Sequence, residues 1–315
     1  MTTLFVSQRN FESHVTPQGH PERPDRIRAV NEALERPRFD ALMRRDAPSG
    51  DLLLADLVHG PEYLSRLRAM RPAEGIAQID ADTFISSGSL DACATALGAG
   101  LSALDAVLLG EVDNAFCAIR PPGHHAEIET PIGFCLINSI AIVARLAQRK
   151  YGAERIGIID FDVHHGNGTQ DIFKDDASVF YGSSHQMPLF PGSGRTSETG
   201  VGNIVNAPLG AGTDGEAMRE AYEDKILPGL RNFAPDLILI SAGFDADYRD
   251  PLAQLNWMPD DFAWITGKLM DYAGAHCGNR IVSLLEGGYD RAGLSAGVAS
   301  HVGMLQNGAL RSTDS

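Results

Sequence analysis

The sequence predicts an α/β fold in which one central, mostly parallel β-sheet is flanked by helices on both faces. Short apolar segments, loops with Gly or Pro, and longer amphipathic segments alternate along the chain. The segments IGII at 156–159 and LILI at 237–240 are apolar throughout, as a strand covered on both faces requires. Because no repeat, low-complexity tract or long linker interrupts the pattern, we expect a single domain over residues 1–310 and a short tail over residues 311–315.

Five strands and four helices are predicted from this alternation. The strands cover residues 115–119, 155–160, 178–182, 236–241 and 280–285. The helices cover residues 90–109, 137–150, 214–232 and 259–277. Ligands of open parallel sheets bind beyond the carboxyl ends of the strands, so the residues that follow each strand are the first place to look for a site.

Composition limits the function classes. With 43% hydrophobic and 21% charged residues among 315, the chain can bury a large core. A net charge of −15 argues against a nucleic-acid partner and is compatible with cationic substrates. The chain shows neither a signal-peptide pattern nor an apolar run long enough for a membrane span, so we expect a cytoplasmic protein. The four scattered cysteines predict small buried side chains rather than disulfides or zinc ligands.

Polar side chains with catalytic potential follow four of the predicted strands. They lie in the segments 120–125 (RPPGHH), 161–168 (FDVHHGNG), 242–247 (AGFDAD) and 286–289 (EGGY). One Asp-x-His pair or one His would be weak evidence, because structural histidines are common. Four such segments at corresponding positions of one sheet predict a metal-dependent hydrolase site.

Three of these residues are candidate metal ligands. In an extended strand, Asp162 and His164 would point the same way because they are two residues apart. Asp245, after another strand, can supply a third ligand. Two carboxylates and one imidazole suit a divalent metal that keeps open positions for water and substrate. Zn²⁺ is the first choice, and Fe²⁺ or Co²⁺ would suit the same ligands.

Two histidines and a tyrosine are candidates for the chemical steps. On a regular strand His124 and His125 would face opposite sides, but the preceding Pro-Pro-Gly can turn both into one pocket. Imidazoles titrate near neutral pH and suit general acid–base work, provided that a partner fixes each far nitrogen. Asp160 and Asn167 are the candidate partners. Tyr289 could donate a hydrogen bond to a developing oxyanion.

Taken together, these segments resemble the class II histone deacetylases and their bacterial relatives, including histone deacetylase-like amidohydrolases and acetylpolyamine amidohydrolases. The resemblance extends from near the amino terminus almost to the end of the chain. The matching segments are GHPERP (19–24), RPPGHHA (120–126), GFC (133–135), DFDVHHGNGT (160–169), FPG (190–192), SAGFD (241–245) and EGGY (286–289).

The resemblance implies the arginase/deacetylase fold, with a narrow tunnel that leads to zinc, and hydrolysis of acetylated lysine side chains or related N-acetylated amines. It makes His125 the general base and then the general acid, and His124 a mainly electrostatic group. Tyr289 would polarise the acetyl carbonyl. The tunnel and substrate contacts would come from Gly133, Phe134, Phe190 and Leu252.

The resemblance also implies structural K⁺. A first potassium site would use Asp160, Asp162, His164, Ser183 and Ser184, and a second would use backbone oxygens near Phe173, Asp176 and Val179. Two interpretations of Arg26 remain open. It reaches the inner end of the tunnel, or it ties loops together, and the second is favoured.

Alternative functions leave different marks in the sequence. Arginase-like enzymes of this fold need a further carboxylate two residues after the ligand histidine, where this chain has Gly166, and Asp247 alone cannot rebuild a second metal site. A non-catalytic binder of acetyl-lysine is disfavoured because Tyr289, both histidines and all three candidate ligands are present.

The substrate stays open between acetylated lysine peptides and small molecules such as acetylpolyamines. Leu252 stands where some polyamine-selective relatives have an acidic residue, and the loop at 86–89 (SSGS) has no obvious acidic residue for gripping a peptide. A homo-oligomer that caps the tunnel would favour small substrates, and the sequence leaves such an oligomer possible.

Overall fold

A sheet of eight parallel strands organises the protein, which the computed structural model describes over residues 1–308. The strands are β1 (Thr3–Ser7), β2 (Met43–Asp46), β3 (Ile76–Gln78), β4 (Phe84–Ser86), β5 (Asn114–Ala118), β6 (Ile156–Asp160), β7 (Val179–Gln186), β8 (Ile204–Leu209), β9 (Leu237–Ala242) and β10 (Ile281–Leu285). The order in the sheet is β2-β1-β5-β10-β9-β6-β7-β8, and β3 and β4 form a separate antiparallel hairpin.

Helices cover both faces of this sheet, as predicted. They are α1 (Asp25–Leu34), α2 (Tyr63–Met70), α3 (Ser89–Leu108), α4 (Ser139–Tyr151), α5 (Asn167–Phe173), α6 (Gly215–Ala221), α7 (Leu227–Phe233), α8 (Pro259–His276) and α9 (Arg291–Asn307). In β5, Phe116 packs edge-on against His301 of α9, while Cys117 lies 3.5 Å from the Ala99 carbonyl of α3. Successive strand residues point to opposite faces, so α3 and α9 lie on opposite sides.

All five predicted strands are present in the central sheet, and the predicted strand at 178–182 continues to Gln186. Three strands of the sheet were missed: β1, β2 and β8. Of these, β2 and β8 are the two edges, and neither has the continuous apolar pattern of a central strand. Pro208 lies within β8, where an edge position tolerates a residue without an amide donor.

The single helix predicted over residues 214–232 is instead three consecutive helical segments. A π-helical turn, Tyr222–Ile226, separates α6 from α7. Pro228 follows at the start of α7, and proline cannot donate the backbone hydrogen bond that a continuous α-helix requires there. The three segments follow one another without a break from Gly215 to Phe233. The predicted helical range was therefore right, but the prediction of one regular α-helix was wrong.

Within residues 1–308, α3 is the one helix long and apolar enough to cross a membrane. In its apolar window, 78% is buried inside the protein, against α4 and the sheet. This is the position of a core helix. All four cysteines are buried and free, as expected. The predicted tail at 311–315 lies outside the described residues.

Candidate active site

Three residues that could hold a metal ion lie together beyond the carboxyl ends of β6 and β9. Asp162, His164 and Asp245 are buried, and their ligand atoms lie within 4.8 Å of one another. His164 Nδ1 is 3.1 Å from Asp162 Oδ1 and 3.1 Å from Asp245 Oδ2. Such a set of two carboxylates and one imidazole suits a divalent metal with open coordination positions. The structure therefore brings together the three candidate ligands.

The reason why Asp162 and His164 converge differs from the prediction. The strand β6 ends at Asp160, and both candidate ligands lie in the bend that follows. The Asp162 amide donates to Asp160 Oδ1 at 3.1 Å, and the His164 amide donates to Asp162 Oδ1 at 2.9 Å. Aspartate side chains that accept from the backbone two residues later form local turns. The two side chains meet because the loop turns, and the expected extended strand was wrong.

Backbone amides hold the two carboxylates in place. The Gly287 amide donates to Asp162 Oδ2 at 2.8 Å, and the Val163 amide donates to Asp245 Oδ1 at 2.9 Å. A Cβ atom at residue 287 would collide with both carboxylates. Glycine is therefore required at 287 because the backbone approaches the candidate ligands more closely than any side chain permits.

The charge of this trio fits a cation. Burial opposes a charge on His164, but its hydrogen bonds to Asp162 and Asp245 outweigh burial and raise its pKa to about 10. Without a metal, a proton on His164 thus balances part of the negative charge. An imidazole that binds a metal must be neutral, so a divalent ion would take the place of this proton.

The two adjacent histidines face the same site, as the Pro-Pro-Gly turn predicted. The ring centroids of His124 and His125 lie 4.0 Å apart. His124 Nδ1 is 2.9 Å from Asp160 Oδ2, and His125 Nδ1 is 2.7 Å from Asn167 Oδ1. Each ring thus has its candidate partner on one nitrogen, which leaves the other nitrogen available to the site.

The surroundings of the two histidines favour a different protonation state for each ring. Burial disfavours the cation of His124, but the carboxylates of Asp160 and Asp162 outweigh it and raise the pKa to about 10. Burial lowers the pKa of His125 well below its ordinary value, and the charges of His124 and His164 lower it further. At neutral pH His124 is therefore a cation and His125 is neutral. Only a neutral imidazole can accept a proton, so His125 is the candidate base.

A cavity of about 210 Å³ lies against these residues. Phe134 packs edge-on against Tyr289 at 5.7 Å between ring centroids, and Phe190 packs against His125 at 5.1 Å. The backbone at Gly133 has a φ of 61°, and a Cβ atom there would collide with the rings of His125 and Phe190. The lining residues are Asp82, His125, Gly133, Phe134, His164, Leu189, Phe190, Leu252 and Tyr289.

Tyr289 stands in this cavity as a protonated phenol. Burial raises its pKa well above the ordinary value, so its hydroxyl remains a hydrogen-bond donor at neutral pH. The guanidinium of Arg26 lies 5.0 Å from the centroid of its ring, and Arg26 Nε donates to the Gly288 carbonyl at 2.7 Å. Because Arg26 is fully buried and also pairs with Glu22 at 3.3 Å, the contacts support its loop-tying role.

Sequence reasoning missed several acidic residues that support the site. Asp250 Oδ2 accepts from the Tyr289 amide at 2.7 Å, and its Oδ1 accepts from the Leu252 amide at 3.0 Å. Glu286 Oε2 accepts from the Gly123 amide at 2.7 Å, next to the histidine pair. The one available signal was position along the chain, because Glu286 is the first residue of the 286–289 segment and Asp250 follows the 242–247 segment. Their contacts join distant loops, which spacing along one chain does not reveal.

Asp82 is an acidic residue at the cavity that could contact a peptide, a role for which the loop at 86–89 offers no acidic side chain. It lies in the turn between β3 and β4 and lines the cavity beside Phe134. Asp80 Oδ1 accepts from the amides of Asp82 and Thr83 at 3.0 and 2.6 Å, which fixes this turn. The hairpin strands have three residues each, too short for a periodic pattern, and so the turn was missed.

The potassium sites remain predictions. Ser183 Oγ and Ser184 Oγ are 2.9 and 3.1 Å from His185 Nδ1 and Tyr222 Oη, respectively. At the second expected site, backbone carbonyl oxygens do converge on one point, which is Asn203 Nδ2. It lies 2.8, 3.0 and 2.7 Å from the carbonyl oxygens of Phe173, Asp176 and Val179. Asn203 therefore holds these three carbonyl oxygens together, and the potassium ion expected beside them stays a prediction.

A second metal of the arginase type also lacks its ligands. Asp247, the extra carboxylate of the loop, forms a two-point ion pair with Arg249, with distances of 2.7 Å from Asp247 Oδ1 to Arg249 Nε and 2.7 Å from Asp247 Oδ2 to Arg249 Nη2. Gly166 supplies no carboxylate where such enzymes need one. Within residues 1–308, the cluster found is the single trio of Asp162, His164 and Asp245.

Comparisons with known proteins agree with the fold and give the family. The family model described as the histone deacetylase domain matches residues 20–305. A probable deacetylase of Archaeoglobus fulgidus is 38% identical over 303 residues, which cover 93% of this chain and 83% of that protein. A histone deacetylase-like amidohydrolase of Pseudomonas aeruginosa is 38% identical over 283 residues, 87% of this chain and 73% of that protein.

A comparison with solved structures also finds a histone deacetylase domain. The crystal structure of the HDA15 HD domain superposes with a TM-score of 0.91 at 33% identity, over 96% of this chain and 88% of that one. The parallel sheet and the residues beyond its strand ends thus define a hydrolase with the arginase/deacetylase fold. The chain belongs to the histone deacetylase family.

Proposed function

We propose that the protein is a zinc-dependent deacetylase that hydrolyses the amide of acetylated lysine side chains or related N-acetylated amines. The observation that carries this proposal is that three elements of a hydrolytic site meet at one cavity. They are the metal-binding trio, a neutral His125 beside a cationic His124, and a protonated Tyr289. Fe²⁺ or Co²⁺ would suit the same ligands as Zn²⁺.

Each side chain has a distinct task in the proposed reaction. A divalent ion held by Asp162, His164 and Asp245 would polarise the amide carbonyl and lower the pKa of a water molecule. His125 would take the proton from the attacking water and then give it to the departing amine. Tyr289 would donate its hydroxyl hydrogen bond to the carbonyl oxygen as negative charge builds there.

The positions of His125 and Tyr289 support a catalyst rather than a non-catalytic binder of acetyl-lysine. A binding protein needs the shape of the cavity but neither a base nor an oxyanion donor. Here the tautomer partner of His125 is in place at 2.7 Å, and the backbone of Tyr289 is fixed by Asp250 at 2.7 Å. Ordered acid–base groups of this kind serve bond cleavage.

The shape of the cavity supports a slender substrate whose acetyl end enters first. About 210 Å³ between Phe134 and Phe190 suits an unbranched alkyl stem rather than a bulky group. At the entrance, Asp82 could accept hydrogen bonds from a peptide backbone or attract the far ammonium of a polyamine. An acetylated lysine peptide and a small N-acetylated amine are therefore both candidates.

The test is hydrolysis of an acetyl-lysine peptide and of N-acetylputrescine side by side, by metal-free protein loaded with Zn²⁺, Fe²⁺ or Co²⁺. We expect turnover of at least one substrate that depends on the metal and is lost in His125→Ala. The ratio of the two kcat/KM values then identifies the substrate class. If neither substrate is hydrolysed with any of the three metals, the proposed function is wrong.

Zinc uptake should release protons. Since the pKa of His164 is raised to about 10 in the metal-free protein, its imidazole carries a proton at neutral pH that a metal must displace. We expect release of about one proton per ion and weaker binding as the pH falls. Calorimetry in two buffers of different ionisation enthalpy measures this release, and zinc binding without proton exchange would contradict it.

Asp82 should matter for charged substrates. In Asp82→Asn we expect the KM for N-acetylputrescine to rise about two- to fivefold, because an exposed ion pair contributes roughly 0.2–1 kcal/mol. The matched control is N-acetylbutylamine, which lacks the far ammonium and should keep its KM. An equal rise for both substrates would show that Asp82 acts on the shape of the entrance and not through its charge.

Three expectations stay predictions of the sequence. They are a cytoplasmic location, the absence of membrane and nucleic-acid partners, and a possible homo-oligomer.

A further inference from the structure

A half-buried carboxylate lies one hydrogen bond beyond the partner of His125. His125 Nδ1 is 2.7 Å from Asn167 Oδ1, and Asn167 Nδ2 donates to Glu127 Oε1 at 2.6 Å. The three side chains form a continuous chain from the protein surface to the proposed base. No role in the mechanism above has been given to Glu127.

This chain of hydrogen bonds has a fixed direction. An ionised carboxylate only accepts hydrogen bonds, so Glu127 can pair with the NH₂ end of Asn167 and not with its oxygen. The amide oxygen then faces His125 and accepts from Nδ1, which must carry the proton. His125 Nε2 keeps the lone pair that a base needs. With the amide reversed, its NH₂ group would face Nδ1, and the proton would have to sit on Nε2.

The backbone around Glu127 is held by contacts that do not involve its side chain. The Glu127 amide donates to the Thr130 carbonyl at 2.9 Å, and the Glu127 carbonyl is 2.8 Å from His59 Nδ1. The Asn167 amide is likewise held, by the His165 carbonyl at 2.8 Å. Replacing the carboxyl group of Glu127 therefore leaves the loop its own supports.

There is also a physical reason why the carboxylate is at Glu127, near solvent, and the neutral amide is at Asn167, in the interior. Asn167 is 7% exposed, whereas Glu127 is partly open to solvent. A carboxylate costs less free energy to keep ionised near water than in the interior. A neutral amide inside and a carboxylate outside can thus fix the histidine without burying a further negative charge beside Asp160 and Asp162.

We propose that Glu127 is a positioning residue that fixes the amide of Asn167 and, through it, the tautomer of His125. Its kinetic consequences rest on the proposed deacetylase function, whereas the tautomer itself does not depend on any substrate. Glu127 touches neither substrate nor metal ligands in this account, and it acts only through the orientation of one amide.

The kinetic test compares Glu127→Gln in two backgrounds. Glutamine has the same size but offers either an oxygen or an NH₂ group, so the choice of amide orientation is lost. We expect kcat to fall about tenfold or more, as for other residues that orient an active-site group, with KM within about twofold. Glu129→Gln is the matched control, because this exposed glutamate of the same loop pairs with Arg66 at 2.6 Å and should leave kcat unchanged.

In the second background, Asn167→Asp, Glu127→Gln should have the opposite effect on kcat. Aspartate at 167 accepts from His125 by itself but stands against the Glu127 carboxylate, and like charges in contact disfavour each other. Glu127→Gln should then raise kcat above that of Asn167→Asp alone. A side chain that merely stabilises the loop would lower kcat in both backgrounds.

A spectroscopic readout keeps the proposal separate from the proposed function. Long-range ¹H–¹⁵N spectra of zinc-loaded, ¹⁵N-histidine-labelled protein, assigned with His125→Ala, should show the Nδ1–H tautomer in the wild type and a mixture in Glu127→Gln. If the wild type hydrolyses no acetylated amine, the proposed function fails and the spectra still decide on Glu127. An unchanged tautomer in Glu127→Gln, or equal losses of kcat in both backgrounds, would overturn the proposal.

Discussion

Replacing Asp245 with asparagine should empty the metal site and lower kcat/KM by about a thousandfold or more, since the Lewis acid of the reaction is lost. Asp245 Oδ2 lies 3.1 Å from His164 Nδ1, and its Oδ1 accepts from the Val163 amide at 2.9 Å. Asparagine keeps the size of the side chain and can still accept from Val163, but it removes the charge of a ligand. Metal analysis of the purified variant and its kcat/KM check this result.

The same loop provides the control. Asp247 is also buried, yet both of its oxygens pair with Arg249 at 2.7 Å. In folded Asp247→Asn we expect one bound divalent ion per chain, as in the wild type. Loss of the divalent ion from this variant, or two divalent ions per wild-type chain, would contradict the single-metal site and favour an arginase-like centre.

Tyr289→Phe should lower kcat by about 10²–10³-fold, the typical loss when one oxyanion donor is removed, with KM and metal content nearly unchanged. The phenol is protonated because burial raises its pKa, and its ring is held between Phe134 and Arg26. Phenylalanine keeps the ring contacts and removes only the hydroxyl donor. Steady-state kinetics on both acetylated substrates measures the effect.

Tyr248→Phe is the matched control for the hydroxyl group. Tyr248 is 52% exposed and stacks on Arg249 at 4.8 Å, outside the cavity-lining set. It should keep the wild-type kcat. If Tyr289→Phe also kept the wild-type kcat, the oxyanion role of Tyr289 would be wrong. If Tyr289→Phe lost the bound metal, the fall in kcat would come from the missing metal and not from the missing hydroxyl.

The central strands could be predicted because burial on both faces leaves a strong local pattern. Residues 156–159 and 237–240 lie in β6 and β9 at the middle of the sheet, where every strand residue is buried. The edge strands β2 and β8 are partly exposed and lack that pattern. Their pairing with β1 and β7 is a tertiary contact, and propensity alone does not determine it.

The candidate site could be predicted in its residues but not in its supports. The motif residues follow strands whose carboxyl ends meet at one edge, so their proximity follows from the topology. The convergence of Asp162 and His164 was explained by an extended strand, whereas hydrogen bonds from Asp160 and Asp162 turn the chain there. A period of two residues is a strand property and carries no information about such a turn.

The residues that hold the motifs come from elsewhere in the chain. Asp250 accepts from the amide of Tyr289, 39 positions away, and Glu127 binds Asn167, 40 positions away. Asp82 enters the cavity from a three-residue hairpin turn. These contacts depend on how separate loops pack together, and a single sequence has no periodicity that reports such packing.

The most direct test of the account is hydrolysis of an acetyl-lysine peptide and N-acetylputrescine by metal-free protein titrated with Zn²⁺. We predict no turnover without metal and a rise to a plateau at one equivalent of zinc per chain, for at least one of the two substrates. Full activity in the metal-free protein, or a plateau that requires two equivalents, would contradict a single-metal hydrolase.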